Sequence, residues 1–307
     1  MQDTPKKETR TRRFLKLMLK IVVTVACLWY VSTKIDIRQA GEALKHSRWL
    51  YVFLGLVTFV LSKIFSSIRL NYYFRNIGIY LSEWTNLKLY WLGMFYNLFL
   101  PGSISGDAYK VIRLTRIYQV PYKKTAAAVL MDRFSGLLGL GLLIALFGPL
   151  VLNQGLWITA VILAALMAVG ILYFVTWRFF RFFLPSFWPT LLWGIVVQAV
   201  QVLCAYLLIE ALGLKASRNE YLFIFLVSSV VAVLPFTIGG LGAREIVFLE
   251  GSRYFGLTTS VSVVISLLFY LITAFTSLWG AIYVFSDPLN QEAEEKKIDA
   301  DQSAAPI

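Results

Sequence analysis

The sequence predicts an all-α integral membrane protein of about six full transmembrane helices plus two re-entrant helical hairpins, the hairpins related as an inverted repeat. Three observations predict it. Apolar runs of about 20 residues, enough to cross a hydrocarbon core about 30 Å thick, recur along the chain. Its 307 residues are 58% apolar and only 15% charged, well below the share usual in soluble domains. Two further apolar runs are cut short by Pro and Gly, and the cuts share a pattern: "LPGSISG" from Leu100 and "LPFTIGG" from Leu234 both read Leu-Pro-x-Ser/Thr-Ile-x-Gly.

Taken in order, residues 1–13 form a basic tail, followed by a first apolar run at 14–33. That run superficially looks like a signal peptide, but no small-residue cleavage site follows it, so it is expected to stay as the first helix. The segment 34–48, "KIDIRQAGEALKHSR", is expected outside as an amphipathic interfacial helix, and 49–70 returns inward with Ser62, Lys63, Ser66 and Ser67 as a polar stripe facing the bundle. Hairpin 1 covers about 87–119. Its entering run, 87–100, makes a helix of about 21 Å, which passes the bilayer midplane without crossing it. The return segment has Asp107, Lys110, Arg113 and Arg116 at spacings of three, a charged face that must be turned from lipid.

Crossings follow at 125–152, 157–176 and 191–212, then hairpin 2 at about 221–255, a last crossing at 257–285, and an acidic disordered tail at 286–307. An odd number of crossings between the hairpins makes the second enter from the opposite side. Transporters built on such inverted repeats place their sites where the broken helices meet. Predicted cytoplasmic segments hold 19 Lys and Arg against 8 outside, which supports cytoplasmic termini in a cell inner membrane, although four of the eight fall in 34–48.

The formal net charge of +12 is not made by the tails: residues 21–285 alone hold 20 basic and 9 acidic residues. Two readings stay open, positive-inside topology with adhesion to anionic headgroups, or an anionic lipid substrate. Other classes lack material. His46 is the only histidine, which leaves little for His-based metal sites or triads. "GLLGLG" at Gly136 lies inside a membrane helix with no strand before it, which points to helix packing rather than a dinucleotide site, and "GGLG" at Gly239 is no Walker motif. Cys27 and Cys204 sit in apolar runs without ligand spacing. No cofactor, metal, catalytic residue or nucleic-acid partner is expected; the expected partners are anionic membrane lipids.

Candidate headgroup residues cluster at the breaks. Pro101 removes a donor and Gly102 permits a sharp turn, which exposes the first amides of the next helix to an anion; Ser103, Ser105 and Thr237 either cap those helices or bond a headgroup, with Gly239 and Gly240 at the second turn. The alternative is a plain capped turn packed in protein. Asp132 and Arg133 lie eight to nine residues into a crossing, and either pair structurally with neighbouring charges, as Asp107 and Lys110 also could, or contact substrate. Lys63 is a further intramembrane cation. Arg244 and Glu245 follow the second turn as a local ion pair or as an anion-binding Arg oriented by Glu245. Gln198, Gln201 and Glu210 add polarity without a constellation.

In this order and on this layout, "LPGSISGDAYKVIRL", "AAAVLMDRFSGLLGL" and "LPFTIGGLGAREIVF" resemble the lysylphosphatidylglycerol synthase transmembrane-region family, or flippase-like domain proteins, over about residues 14–285. The resemblance implies a bundle with two re-entrant hairpins. It includes the membrane half of the multiple peptide resistance factor, which moves aminoacylated phosphatidylglycerol between leaflets. Two departures stand out. No soluble aminoacyl-transferase domain follows residue 285, so synthesis of lysyl lipid by this chain alone is not expected, and Tyr270 stands where members often have an Arg. The function expected is a flippase-like translocator of an anionic, aminoacylated or polyprenyl-linked lipid. The alternatives are an integral membrane transferase, or a non-catalytic partner that presents lipid to a separate lipid-modifying enzyme.

Overall fold

The computed structural model describes residues 36–99, 104–152, 154–233, 237, 240–286 and 288–289, with scattered positions between 18 and 33. The described residues contain helices and no strand. Helix α1 (Ile37–Lys45) starts on Asp36, whose carboxylate accepts from the amides of Arg38 and Gln39. Then come α2 (Trp49–Asn76), α3 (Glu83–Phe99), α4 (Ser105–Tyr118), α5 (Tyr122–Val151) and α6 (Gly155–Phe179). A 3-10 turn (Arg181–Ser186) leads to α7 (Phe187–Ala211), α8 (Arg218–Val233), α9 (Ala243–Tyr254) and α10 (Thr259–Leu278), and a second (Trp279–Ala281) to α11 (Ile282–Phe285).

Among the described residues five segments are long and apolar enough to cross a membrane: Trp49–Asn76, Tyr122–Val151, Gly155–Phe179, Arg181–Ala211 and Thr259–Phe285. They take up the predicted crossings from 49–70 onward; the first, 14–33, lies mostly outside the described residues. The chain is thus a multi-pass membrane protein. Helix α2 runs past its expected end at 70 because its polar residues find partners in the protein. Asn71 donates to the Leu81 carbonyl at 3.1 Å, and Asn86 from α3 donates to the Ser67 carbonyl at 2.6 Å.

The four helices that flank the two sequence breaks are short, with 17 residues in α3, 14 in α4, 16 in α8 and 12 in α9, all under the roughly 20 that span a bilayer. α3 and α4 touch where Gly106 meets Gly93, so closely that a Cβ on Gly106 would strike the Gly93 carbonyl. α5 and α7 touch at Gly139 and Gly194, where a Cβ on Gly139 would sit 2.6 Å from the Gly194 carbonyl carbon. The glycine-rich run at Gly136 is therefore a packing surface. On α6 only Ala165 and Thr176 are buried, as fits a helix bathed in lipid.

Candidate functional site

α2 to α5 and α7 to α10 together enclose a cavity of about 310 Å³. Each contributes a polar or charged side chain to it. Lys63 and Arg69 come from α2, Lys110 with Asp107 from α4, Arg133 with Asp132 from α5, and Arg244 from α9. Neutral donors and acceptors surround them: Tyr90 and Asn97 on α3, Gln198 and Gln201 on α7, Ser229 on α8, and Tyr270 on α10. Five cations thus face two carboxylates in a bundle whose outside is lipid, where a lone charge is expensive.

The carboxylates are committed. Arg69 Nε donates to Asp132 Oδ1 at 2.7 Å, and both side chains are nearly sealed from solvent. Asp107 bridges two helices: Arg133 donates to its Oδ2 through Nε at 2.5 Å and also through a terminal nitrogen, while Lys110 Nζ lies 3.6 Å from Oδ1. Lys110 also runs across Gly93 and ends over the Tyr90 ring, 4.5 Å from its centre. A side chain at 93 would occupy its path.

Lys63 and Arg244 differ. Among the described residues neither makes a salt bridge. Lys63 Nζ rests 4.5 Å above Phe59, and the Arg244 guanidinium 4.5 Å above Phe269 and 5.5 Å from Phe225, with Ser229 Oγ 3.5 Å from its Nη2. Aromatic faces offset part of the burial of these charges without neutralising them.

Of the sequence-predicted site residues, Lys63, Asp107, Lys110, Asp132, Arg133 and Arg244 line this one cavity. Asp132 and Arg133 both pair structurally, and Arg133 nonetheless keeps 34% of its side chain exposed on the cavity wall. Glu245 does not join them. It is fully buried, accepts from the Gly242 amide at 2.6 Å and from Ser266 Oγ at 2.7 Å, and so caps its own helix rather than pairing with Arg244. Ser105 begins α4, Thr237 is buried, and Gly240 turns at φ +83°; none of the three lines the cavity. Pro101, Gly102, Ser103 and Gly239 lie outside the described residues. The Gly106 amide, one of the amides offered to an anion at the first break, donates to Asn97 Oδ1 at 2.9 Å instead.

Sequence reasoning missed Arg69, which it counted with the cytoplasmic charges at the very end of the 49–70 crossing. The signal was present: Lys63, Ser66 and Arg69 recur every third residue and continue one stripe. The glutamines of α7 also acquire a role, since both line the cavity and Gln198 donates to the Gly136 carbonyl at 3.1 Å.

Beside the cavity, α5 and α6 diverge to leave an apolar groove of about 630 Å³ on the lipid side. Gly141, Ala164, Ala165 and Ala168 keep it open, and Leu137 lines both groove and cavity. Residues 17–280 match the family described as Lysylphosphatidylglycerol synthase TM region. No curated protein matches the chain.

Proposed function

The chain belongs to the lysylphosphatidylglycerol synthase TM region family, and from that premise we propose that it is a flippase-like translocator that moves an anionic lipid between leaflets. The observation that carries this reading is the cationic cavity at the meeting point of the short helices, inside a membrane bundle. α3 with α4, and α8 with α9, act as the two re-entrant hairpins, and the elements from α2 to α5 correspond by inverted repetition to those from α7 to α10. Residues 14–285 then form one membrane domain in a cell inner membrane, with both termini cytoplasmic.

A headgroup occupies the cavity while its chains lie along the groove between α5 and α6, with Leu137 at the boundary. Apolar chains gain nothing by leaving lipid, so the protein's task is to shelter the charge. That is a transporter's role rather than an enzyme's. With no nucleotide-binding motif in the sequence, movement runs downhill or is coupled to an ion. Glycosyl or other lipid-modifying transfer, or presentation of lipid to a separate synthase, would not require the charge to be shared among so many helices.

Reconstitution into liposomes with fluorescent phosphatidylglycerol and, in parallel, fluorescent phosphatidic acid, each with an impermeant quencher, tests the reading. Parent protein is expected to expose the inner-leaflet label, and Arg244→Gln to slow this at least tenfold. A rate equal to that of protein-free liposomes with both lipids would sink the assignment.

A further inference from the structure

The cavity holds more positive charge than a single phosphodiester answers. Its two carboxylates are occupied, Asp132 by Arg69 and Asp107 by Arg133 with Lys110 beside it, so among the described residues the lining retains three uncompensated cations. Two of these, Lys63 and Arg244, have aromatic rings where a counter-charge would sit. The lining also has a donor without an acceptor: Arg244 Nη1 is buried with no hydrogen-bond partner. A buried guanidinium N–H left unmade is unfavourable, and this one from α9, together with the Lys63 ammonium from α2, calls for several acceptor oxygens on one group.

Resting on the translocator reading, we propose that the cavity selects a lipid that ends in a terminal phosphate, a phosphomonoester, over phosphodiester lipids, and that it rejects aminoacylated ones. A terminal phosphate has three strong acceptor oxygens and a charge of about −1.5 to −2 at neutral pH. A phosphodiester headgroup supplies one charge and two free oxygens. An aminoacylated headgroup brings an ammonium of its own, which would have to sit beside Lys63 and Arg244 with no free carboxylate to receive it. Free inorganic phosphate has the same chemistry as the proposed headgroup. The groove that shares Leu137 with the cavity favours a ligand with apolar chains attached.

The test uses the full chain in phosphatidylcholine nanodiscs at about pH 8, where a phosphomonoester with a second pKa of about 6 is doubly ionised. Retention of phosphatidic acid, phosphatidylglycerol and lysyl-phosphatidylglycerol is compared by native mass spectrometry. Phosphatidic acid is expected to be held at least about tenfold more tightly than phosphatidylglycerol, about 1.4 kcal/mol, with the lysyl lipid no better than phosphatidylcholine. Lys63→Gln and Arg244→Gln, each checked for folding by its thermal transition, are each expected to shrink the preference severalfold. The parent comparison stands even where a variant fails to fold. Equal retention of phosphatidic acid and phosphatidylglycerol, or strong retention of the lysyl lipid, overturns the selectivity while leaving lipid translocation intact. Displacement of phosphatidic acid by millimolar inorganic phosphate overturns the lipid assignment. Parent protein that prefers phosphatidic acid yet moves no lipid in liposomes upholds the binding claim and removes the translocator reading.

Discussion

Replacing Asp132 by Asn keeps the shape of the side chain and removes its charge. Arg69 is then stranded, because only 5% of it is exposed and its guanidinium lies against Gly136, where even an added Cβ would come within 2.9 Å of Nη1. Breaking one side of a buried pair costs about 3–5 kcal/mol, chiefly by leaving the other charge uncompensated. Set against a total stability of about 5–15 kcal/mol, that is a large share. The thermal midpoint in detergent and the monodisperse yield should both fall sharply. Asp107→Asn should be milder, since its partner Arg133 is 34% exposed toward the cavity and can be screened there. The double variant Arg69→Met with Asp132→Leu should recover most of the loss, because an apolar pair of similar volume tends to match or exceed a buried ion pair. Asp132→Asn as stable as the parent would refute the claim that this pair braces the bundle.

The remaining predictions turn on two glycines. Gly139→Ala should destabilise despite its better helix propensity, since the Cβ would press on Gly194 backbone at 2.6 Å and overpacking typically costs about 1–3 kcal/mol against a gain of about 1. Gly141→Ala, with nothing within 4 Å of its Cβ, should be neutral or stabilising, and thermal midpoints in one detergent decide both. Gly141→Leu should fold normally yet slow lipid movement in liposomes by filling the groove; an unchanged rate would show that the chains take another path.

The crossings were legible because hydropathy asks only for length and a scarcity of charge, and α2, α5, α6, α7 and α10 meet both conditions. Lys63, Asp132 and Arg133 were legible for the complementary reason, that a charge inside an apolar run has to face protein. Arg69 was not, because the polar cluster from Ser66 to Asn71 reads the same whether water or a neighbouring helix satisfies it. Lys110 and Arg244, candidates from the two hairpins, line the cavity beside Arg69. Glu245 illustrates a different limit. Adjacency to Arg244 proposed a partnership, yet consecutive helical residues point about 100° apart, and α9 turns Glu245 toward Ser266 and its own first turn. Likewise the spacing of three from Asp107 to Arg116 drifts by about 60° a step, so Lys110 is buried while Arg116 is exposed.

The distribution of charge within the cavity has its own consequence. The carboxylates go to Arg69 and Arg133, each across a helix boundary, so these two pairs hold helices together instead of holding a ligand. Besides Lys110, which shares Asp107 with Arg133, the uncompensated charge is left on Lys63 and Arg244, one on α2 and the other on α9. These two repel each other, and an anion between them would turn that repulsion into attraction from both sides. On the proposed translocator reading, headgroup binding would change the force between the first group of helices and the second, which is the relation an alternating-access transporter has to alter. A carboxylate in place of either aromatic face would settle the charge permanently and leave the ligand nothing to change.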